Sequence, residues 1–227
     1  HASAAYMAKQ ILATHGKVLP FVTTLHGTDI TLVGKDPTYE PVVTFSINKS
    51  DGVTAVSESL RKDTLALFKI NKEIKVIPNF IDFKRFSKLD KLHFKKAIAP
   101  NNEKIVTHTS NFRKVKRIQD VMEIFSLIRQ EIPAKLLMIG DGPERQAAEL
   151  QSRSLGMDAD VRFLGKQEAI EELLAVSDLF IMPSESESFG LAALEAMACE
   201  VPVISSDAGG IPEVNIYGKT GFVLPIK

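Results

Sequence analysis

Two glutamates, Glu187 and Glu195, flank the point where a polar loop leads into a predicted helix. An apolar run ends at Pro183, and Gly190 opens the helix. The first N–H groups of a helix have no partner within it and attract anions such as phosphate. Carboxylates at this spacing lie on roughly one helix face and suit hydrogen bonding to two diols, one on a sugar and one on a ribose. In the plainer alternative, Glu187 caps the helix and Glu195 is a solvated surface charge.

A cluster of four cations follows another apolar run, in the segment RKVKR at residues 113–117. Such a cluster fits a nucleic-acid patch, a solvated helix start or a site that neutralises a leaving diphosphate. The chain has 28 basic and 28 acidic residues, and the cluster lacks interleaved aromatic side chains. Both observations disfavour nucleic acid, whereas a position after a strand favours the diphosphate.

Two further segments follow apolar runs. His26, with Gly27 behind it, is placed to reach a sugar or a phosphate across a cleft, although a lone histidine is more often structural. The segment GDGPER at 140–145 is close to the glycine fingerprint of dinucleotide-binding proteins, but Arg145 stands where the third glycine belongs. That departure disfavours an NAD-dependent enzyme.

The elements that position these clusters alternate between short apolar runs and amphipathic stretches. In such an α/β fold, parallel strands are covered by helices on both faces, and ligands bind at the carboxyl ends of the strands. The predicted strands are residues 20–24, 74–77, 105–109, 135–139, 161–164, 178–182, 201–205 and 221–224, and the predicted helices are residues 2–13, 57–68, 118–129, 144–155, 169–176 and 191–198.

We predict two Rossmann-like domains, residues 1–82 and 83–227, separated at a polar connector that runs through Lys96. Two or three strands do not complete a doubly wound sheet, so the first domain is incomplete and the second nearly complete. The sequence begins without Met and ends directly after an apolar run, and we therefore expect a fragment of a longer protein.

The order of several motifs resembles the family 4 retaining glycosyltransferases. That family carries two glutamates separated by seven residues after a loop with Pro and Ser, as in PSESESFGLAALEAMA at 183–198. The segments VPVISSDAGGIPE at 201–213 and GKTGFV at 218–223 match its next blocks, although Glu200 stands where Gly is common. The resemblance implies a GT-B fold and a metal-independent hexosyltransferase, with residues 1–82 on the acceptor side and residues 83–227 binding the nucleotide sugar.

The resemblance also implies roles for single residues. Glu187 binds the transferred sugar, Lys116 neutralises the diphosphate, and His26 joins them as a catalytic residue. Asn111 replaces the usual Arg five residues before the Lys, so an amide donor and Arg113 stand in for the second cation. The remaining donor-binding residues are Gly140 and Gly142 beneath the nucleotide, Gly165 at the base, Ser188, Phe189, Gly190 and Leu191 at the diphosphate, and Glu195 at the ribose.

Three segments, HGTDIT at 26–31, SNFRKVKR at 110–117 and SESESFG at 184–190, look closest to a subgroup that begins bacillithiol synthesis. That likeness implies UDP-N-acetylglucosamine as donor, L-malate as acceptor, no cofactor beyond the donor, and a homo-oligomer. Two alternatives stay open: a UDP-sugar-dependent relative that acts on a polysaccharide or lipid, and a donor-binding module without turnover.

Other features of the sequence argue against a disulfide, a metal site and a membrane span. The single cysteine, Cys199, excludes an internal disulfide and is expected to be a buried small hydrophobe. Asp158-Ala159-Asp160 resembles the DxD motif of metal-dependent transferases, but it precedes a strand and is predicted to be a turn, so no metal is expected. No apolar run approaches the about 20 residues of a membrane span, and we expect a cytoplasmic protein without a membrane partner.

Overall fold

The computed structural model describes residues 1–27, 30, 36–88 and 92–226. The chain divides into two compact units, residues 1–79 and residues 80–227. Each unit contains a parallel sheet with helices between successive strands. The predicted α/β class is therefore confirmed.

The first unit has a three-stranded parallel sheet of order β1-β2-β3. Its elements are α1 (Ala2–Thr14), β1 (Val22–Leu25), α2 (Glu40–Asn48), β2 (Gly52–Ala55), α3 (Glu58–Leu67) and β3 (Ile74–Val76). Helix α3 begins where the Ser57 hydroxyl accepts the N–H of Leu60 at 3.0 Å, which satisfies one unpaired donor of the first turn. Leu25, Val53 and Leu60 are buried and form part of its core.

The second unit has a six-stranded parallel sheet of order β6-β5-β4-β7-β8-β9. Its helices are α4 (Leu92–Ile98), α5 (Ile118–Glu131), α6 (Arg145–Ser154), α7 (Ile170–Leu174), α8 (Leu191–Ala198) and α9 (Ile211–Val214). Its strands are β4 (Lys104–Ser110), β5 (Ala134–Gly140), β6 (Val161–Gly165), β7 (Leu179–Met182), β8 (Val203–Ser206) and β9 (Gly221–Leu224), and a single 3-10 turn spans Lys114–Lys116.

Both faces of this second sheet are buried, as expected for parallel strands between helices. Val106 of β4 packs in a cluster with Phe125 of α5 on one face. The neighbouring Ile105 packs in a separate cluster with Leu173 of α7 on the other. Successive residues of this strand are buried, and its β-branched residues Ile105, Val106 and Thr107 explain why it was predicted as a strand.

Helices α2, α4 and α9 and strand β2 were not predicted from the sequence. Helix α2 contains Val42, Val43 and Thr44, whose β-branched side chains favour strands, and β2 is only four residues long. Helix α4 lies where a polar connector was expected, and that expectation is wrong from residue 92 onward. The reason is packing, because Ile98 at the end of α4 is buried against Ile105 of β4.

The strand order reverses at β4. The chain passes from β4 to β5 and β6 on one side, and then returns to place β7, β8 and β9 on the other. Such a reversal leaves a crevice beyond the carboxyl ends of the two strands that flank it. In this unit those strands are β4 and β7, so the loops that follow them border one crevice.

Candidate functional site

The β7–α8 loop (residues 183–190) forms one wall of the crevice. It ends at Gly190, whose φ of 93° is in the left-handed region, and α8 begins at the next residue. The N-cap residue of α8 is Gly190, which has no side chain, and this contradicts the alternative that Glu187 is the cap. Phe189 and Gly190 are buried, whereas Leu191 is exposed at the first turn of the helix.

Backbone contacts with the β8–α9 loop (residues 207–210) hold the β7–α8 loop in place. The N–H of Gly210 donates to the carbonyl oxygen of Glu187 at 2.9 Å. A Cβ atom at Gly209 would lie 2.0 Å from that same oxygen, and Gly209 has a φ of 55°. The two glycines therefore let this backbone pass directly beneath Glu187. They belong to the matched family blocks, but sequence analysis did not assign them a role in the site.

The β4–α5 loop (residues 111–117) forms the opposite wall and contacts the first one directly. The Lys116 ammonium forms an ion pair with Oε1 of Glu187, and both side chains are only 17% exposed. The hydroxyl of Ser184 also donates to Oε1 at 3.3 Å. Between the loops, the N–H of Glu185 donates to the carbonyl oxygen of Val115 at 2.8 Å. The structure thus brings together two of the predicted catalytic residues from distant parts of the sequence.

Asn111 and Arg113 are both exposed, on either side of the fully buried Phe112. Phe112 has a φ of 39°, an uncommon conformation for a residue with a large side chain. Its carbonyl oxygen accepts the N–H of Glu144 at 2.9 Å. The exposed amide and guanidinium groups are thus carried by a short turn whose central residue is anchored in the core.

The two glycines at 140 and 142 pack against the backbone of this turn. A Cβ atom at Gly140 would lie 1.8 Å from the carbonyl oxygen of Ser110, and one at Gly142 would lie 2.0 Å from that of Asn111. Their first role in the fold is therefore to let the end of β5 approach the end of β4. Gly165, at the end of β6, has a φ of 68°, and Nη1 of Arg145 lies 3.7 Å from the position of a Cβ there.

Glu195 lies on α8 and is half-buried, which contradicts the alternative of a solvated surface charge. Burial raises the pKa of its carboxyl, the nearby Arg85 cation opposes that rise, and the Glu171 carboxylate adds to it. Arg85 donates to Oε2 of Glu171 at 3.0 Å and to the carbonyl oxygen of Glu168 at 2.6 Å. Glu195 therefore has different charged neighbours from Glu187.

His26 belongs to the first unit and directly follows β1, where it is exposed. Its predicted place at the carboxyl end of a strand agrees with the structure of that unit. Thr28, Asp29 and Thr31 of the HGTDIT segment lie outside the described residues.

His108 was missed by sequence analysis, because it lies inside the predicted strand, between Thr107 and Thr109, and not at the strand's end. Its side chain is fully buried in β4. Nδ1 lies 2.9 Å from the carbonyl oxygen of Ile181 on β7, and Nε2 lies 2.9 Å from Oγ of Ser110. Burial lowers the pKa of His108 to about 4, a shift that the hydrogen bond to Ile181 opposes and the Lys116 cation reinforces.

The residues considered for metals and disulfides have structural roles. Asp160 pairs with Arg129 at 2.8 Å and Lys135 at 2.7 Å, within the predicted turn before β6. Cys199 is buried as predicted, and burial raises the pKa of its thiol to about 11. Within residues 1–27, 30, 36–88 and 92–226, no three His, Cys, Asp or Glu side chains are grouped as metal ligands. No helix in this part of the chain has the length and apolar character needed to cross a bilayer.

Comparison with known proteins adds independent observations. A family model described as "Glycosyl transferases group 1" matches residues 90–227, and one described as "Glycosyltransferase Family 4" matches residues 1–85. The chain is 49% identical to N-acetyl-alpha-D-glucosaminyl L-malate synthase of Bacillus anthracis over 227 residues, which are 100% of this chain and 59% of that protein. It is 34% identical over 175 residues to alpha-monoglucosyldiacylglycerol synthase of Streptococcus pneumoniae, covering 73% of this chain and 38% of that enzyme.

Solved structures show the same architecture. The crystal structure of Anabaena Alr3699/HepE in complex with UDP-glucose superposes with a TM-score of 0.81 and 26% identity, over 99% of this chain and 62% of that one. The sucrose-phosphate synthase of Thermosynechococcus elongatus has a TM-score of 0.79 at 22% identity, over 96% and 58% of the two chains. These likenesses confirm the predicted GT-B fold, and this chain spans about three fifths of such proteins. Together with the family model that matches more than half of its residues, they lead to one assignment: the chain belongs to the group 1 glycosyl transferases.

Proposed function

We propose that the protein containing this chain is a retaining glycosyltransferase that moves N-acetylglucosamine from UDP-N-acetylglucosamine to L-malate. The observation that carries the proposal is the contact between Lys116 and Glu187 at the crevice between β4 and β7. A cation and a carboxylate beside a helix start are the groups that a sugar diphosphate requires. The choice of sugar and acceptor rests on the 49% identity to the Bacillus anthracis L-malate synthase.

In this proposal the donor competes with Glu187 for Lys116. When the donor binds, the diphosphate takes the place of Glu187 as the partner of Lys116. The freed carboxylate of Glu187 then accepts hydrogen bonds from the hydroxyl groups of the transferred sugar. The start of α8 adds its partial positive charge at the diphosphate, an interaction worth about 0.3–1 kcal/mol at an exposed site.

The reaction needs no nucleophile from the protein. The acceptor hydroxyl attacks the anomeric carbon on the face from which the diphosphate departs. The bond from that carbon to the phosphate oxygen breaks, UDP leaves, and the β-phosphate takes up the proton of the hydroxyl. Lys116 and Asn111 stabilise the charge that grows on the phosphate, with Arg113 as a second cation.

Glu195 binds the ribose hydroxyls in this scheme, and its half-buried position suits that role. A carboxylate that has already lost much of its hydration gives up little more when a neutral diol replaces the remaining water. His26 completes the scheme from the first unit as a donor to the sugar or phosphate.

A second candidate is transfer of a UDP-sugar to a lipid. The observation that favours it is the 34% identity to the glucosyldiacylglycerol synthase over 73% of this chain. The two candidates share the donor site and differ in the acceptor, so they are separated only by acceptor assays on the full-length protein.

The first experiment is calorimetric titration of this chain with UDP-N-acetylglucosamine, UDP-glucose, GDP-mannose and NADH, in buffer containing EDTA. We expect binding by the UDP ligands alone, tighter for the N-acetyl sugar. A chain with a folded far-UV circular dichroism spectrum that binds no UDP ligand would refute the donor site.

A matched pair of variants tests the role of Glu187. In the full-length protein, Glu187→Gln should lower kcat with L-malate by about 100-fold or more, because it removes a hydrogen-bonded charge at the reacting sugar. UDP affinity should change much less. Glu185→Gln removes the same charge from an exposed position in the same loop and should leave kcat unchanged. Near-normal turnover of Glu187→Gln would contradict the assignment.

A further inference from the structure

A chain of hydrogen bonds links strand β7 to the turn that carries Asn111. It runs from the carbonyl oxygen of Ile181 through the imidazole of His108 to Oγ of Ser110, with both distances 2.9 Å. From Ser110 it continues to the N–H of Phe112 at 3.2 Å. The rings of His108 and Phe112 also lie 6.3 Å apart. A fully buried imidazole thus connects the two strands that flank the crevice.

The hydrogen-bonding partners of His108 and Ser110 indicate which atoms carry the hydrogens. The carbonyl oxygen of Ile181 only accepts, so Nδ1 of His108 must carry a hydrogen and donate it. The N–H of Phe112 only donates, so Oγ of Ser110 accepts that bond and has its own hydrogen free to donate to Nε2. Because burial also lowers the pKa of His108 to about 4, the imidazole is neutral at pH 7 with its hydrogen on Nδ1, and each of these hydrogen bonds then has one donor and one acceptor.

We propose that His108 is a positioning residue for the donor site, which acts through Ser110 to hold the Asn111–Phe112 turn in the conformation that binds the diphosphate. This inference rests on the proposed function. Phe112 occupies a left-handed conformation that costs energy for a residue with a Cβ atom, so the turn needs fixed partners. The N–H bond to Ser110 supplies one of them, and the bond from Glu144 to the Phe112 carbonyl oxygen supplies another.

The first test reads the proton arrangement directly. Nitrogen-15 NMR of histidine side chains distinguishes the two neutral tautomers from the cation, and we expect His108 to be neutral with its hydrogen on Nδ1 at pH 7. Amide hydrogen exchange should show a protected Phe112 N–H that loses its protection in Ser110→Ala. A hydrogen on Nε2, a cation at pH 7, or unchanged exchange in Ser110→Ala would overturn the proposal, and none of these results depends on a ligand.

The second test is a double-mutant cycle read by UDP titration. Ser110→Ala and His108→Phe should each weaken UDP binding by about tenfold, the effect of losing one hydrogen bond that holds the site. Because His108 acts through Ser110, the double variant should bind UDP no more weakly than His108→Phe alone. Additive losses, or parent-like binding by Ser110→Ala, would refute the coupling.

A matched control separates positioning from general loss of stability. Thr107 is equally buried, on the opposite face of β4, and its Oγ1 lies 2.6 Å from Oγ of Ser177. Thr107→Val removes this hydrogen bond, and UDP binding should stay within about twofold of the parent. If Thr107→Val weakens UDP binding as much as Ser110→Ala, the hydrogen bonds from His108 through Ser110 to Phe112 have no specific role. A parent protein that binds no UDP would refute the proposed function instead, while the proton arrangement is judged by NMR.

Discussion

Lowering the pH from 7 to 5 should destabilise this chain through one buried side chain, His108. Its pKa in the folded protein is about 4, whereas an unfolded chain has the ordinary value of about 6.5. As the pH falls, the unfolded chain therefore takes up a proton first, and stability decreases between pH 7 and pH 4. At about 1.36 kcal/mol for each unit of pKa difference, linkage gives a loss of about 2 kcal/mol by pH 5 from this residue.

The measurement is urea denaturation at pH 7 and pH 5, compared between the parent and His108→Phe. The variant is less stable at both values, but the loss between them should be about 2 kcal/mol smaller than in the parent, because no imidazole titrates at this position. Thr107→Val serves as the control, since it removes a buried hydrogen bond without changing a titrating group and should keep the parent's loss. Equal losses in the parent and His108→Phe would show that His108 is not held neutral in the folded protein.

Three further predictions concern the β8–α9 loop, helix α8 and the turn before β6. Gly209→Ala should destabilise the chain and weaken UDP binding, because the added Cβ would lie 2.0 Å from a backbone oxygen. Gly218→Ala is the control, because Gly218 also has a positive φ but a Cβ there meets nothing within 4 Å. Thermal unfolding should show that the control loses only the roughly 1–2 kcal/mol of stability that this backbone conformation costs. Glu195→Gln should raise the stability of the chain at pH 7, because the raised pKa of Glu195 means that folding disfavours its charged carboxylate. The same variant should weaken UDP binding in a calorimetric titration. A lower stability of Glu195→Gln would contradict the burial argument. Asp160→Asn should lower the melting temperature, because it breaks the ion pairs of Asp160 with Arg129 and Lys135. UDP binding by this variant should equal that of the parent, with or without divalent cation. If UDP binding required a metal and this variant lost it, the DxD interpretation would be correct.

Much of the second unit was predictable because its central strands β4, β5, β7 and β8 are largely buried on both faces. Such strands appear as unbroken apolar runs, and α8 and β9 have the predicted bounds. The first unit was harder, since β2 has only one large apolar residue, Val53, and the β-branched residues of α2 favour the wrong element. Helix α4 was missed because the contact that holds it, between Ile98 and β4, is invisible in its own charged sequence.

Some residues of the candidate site could likewise be predicted from the sequence, and others could not. Lys116 and Glu187 were found because unusual residues at the ends of parallel strands meet at one edge of the sheet. His108 gave no such signal, since it lies inside a strand, between Thr107 and Thr109, and its partner on β7 is 73 residues away. The packing of Gly140 and Gly142 against the turn at Asn111 was likewise hidden, because a close approach of two backbones leaves only a glycine in the sequence.

The strand order also determines when the crevice forms during folding. Strands β4, β5 and β6 follow one another along the chain, so their pairing closes only short loops. Strand β4 gains its other neighbour from β7, with Leu179 beside Val106, and closing that longer loop costs more entropy and proceeds later. We therefore expect contact between the two loops to form after β4, β5 and β6 have paired. If the proposed nucleotide binds there, it recognises only the finished sheet, and by mass action it should stabilise the folded chain over partly folded states.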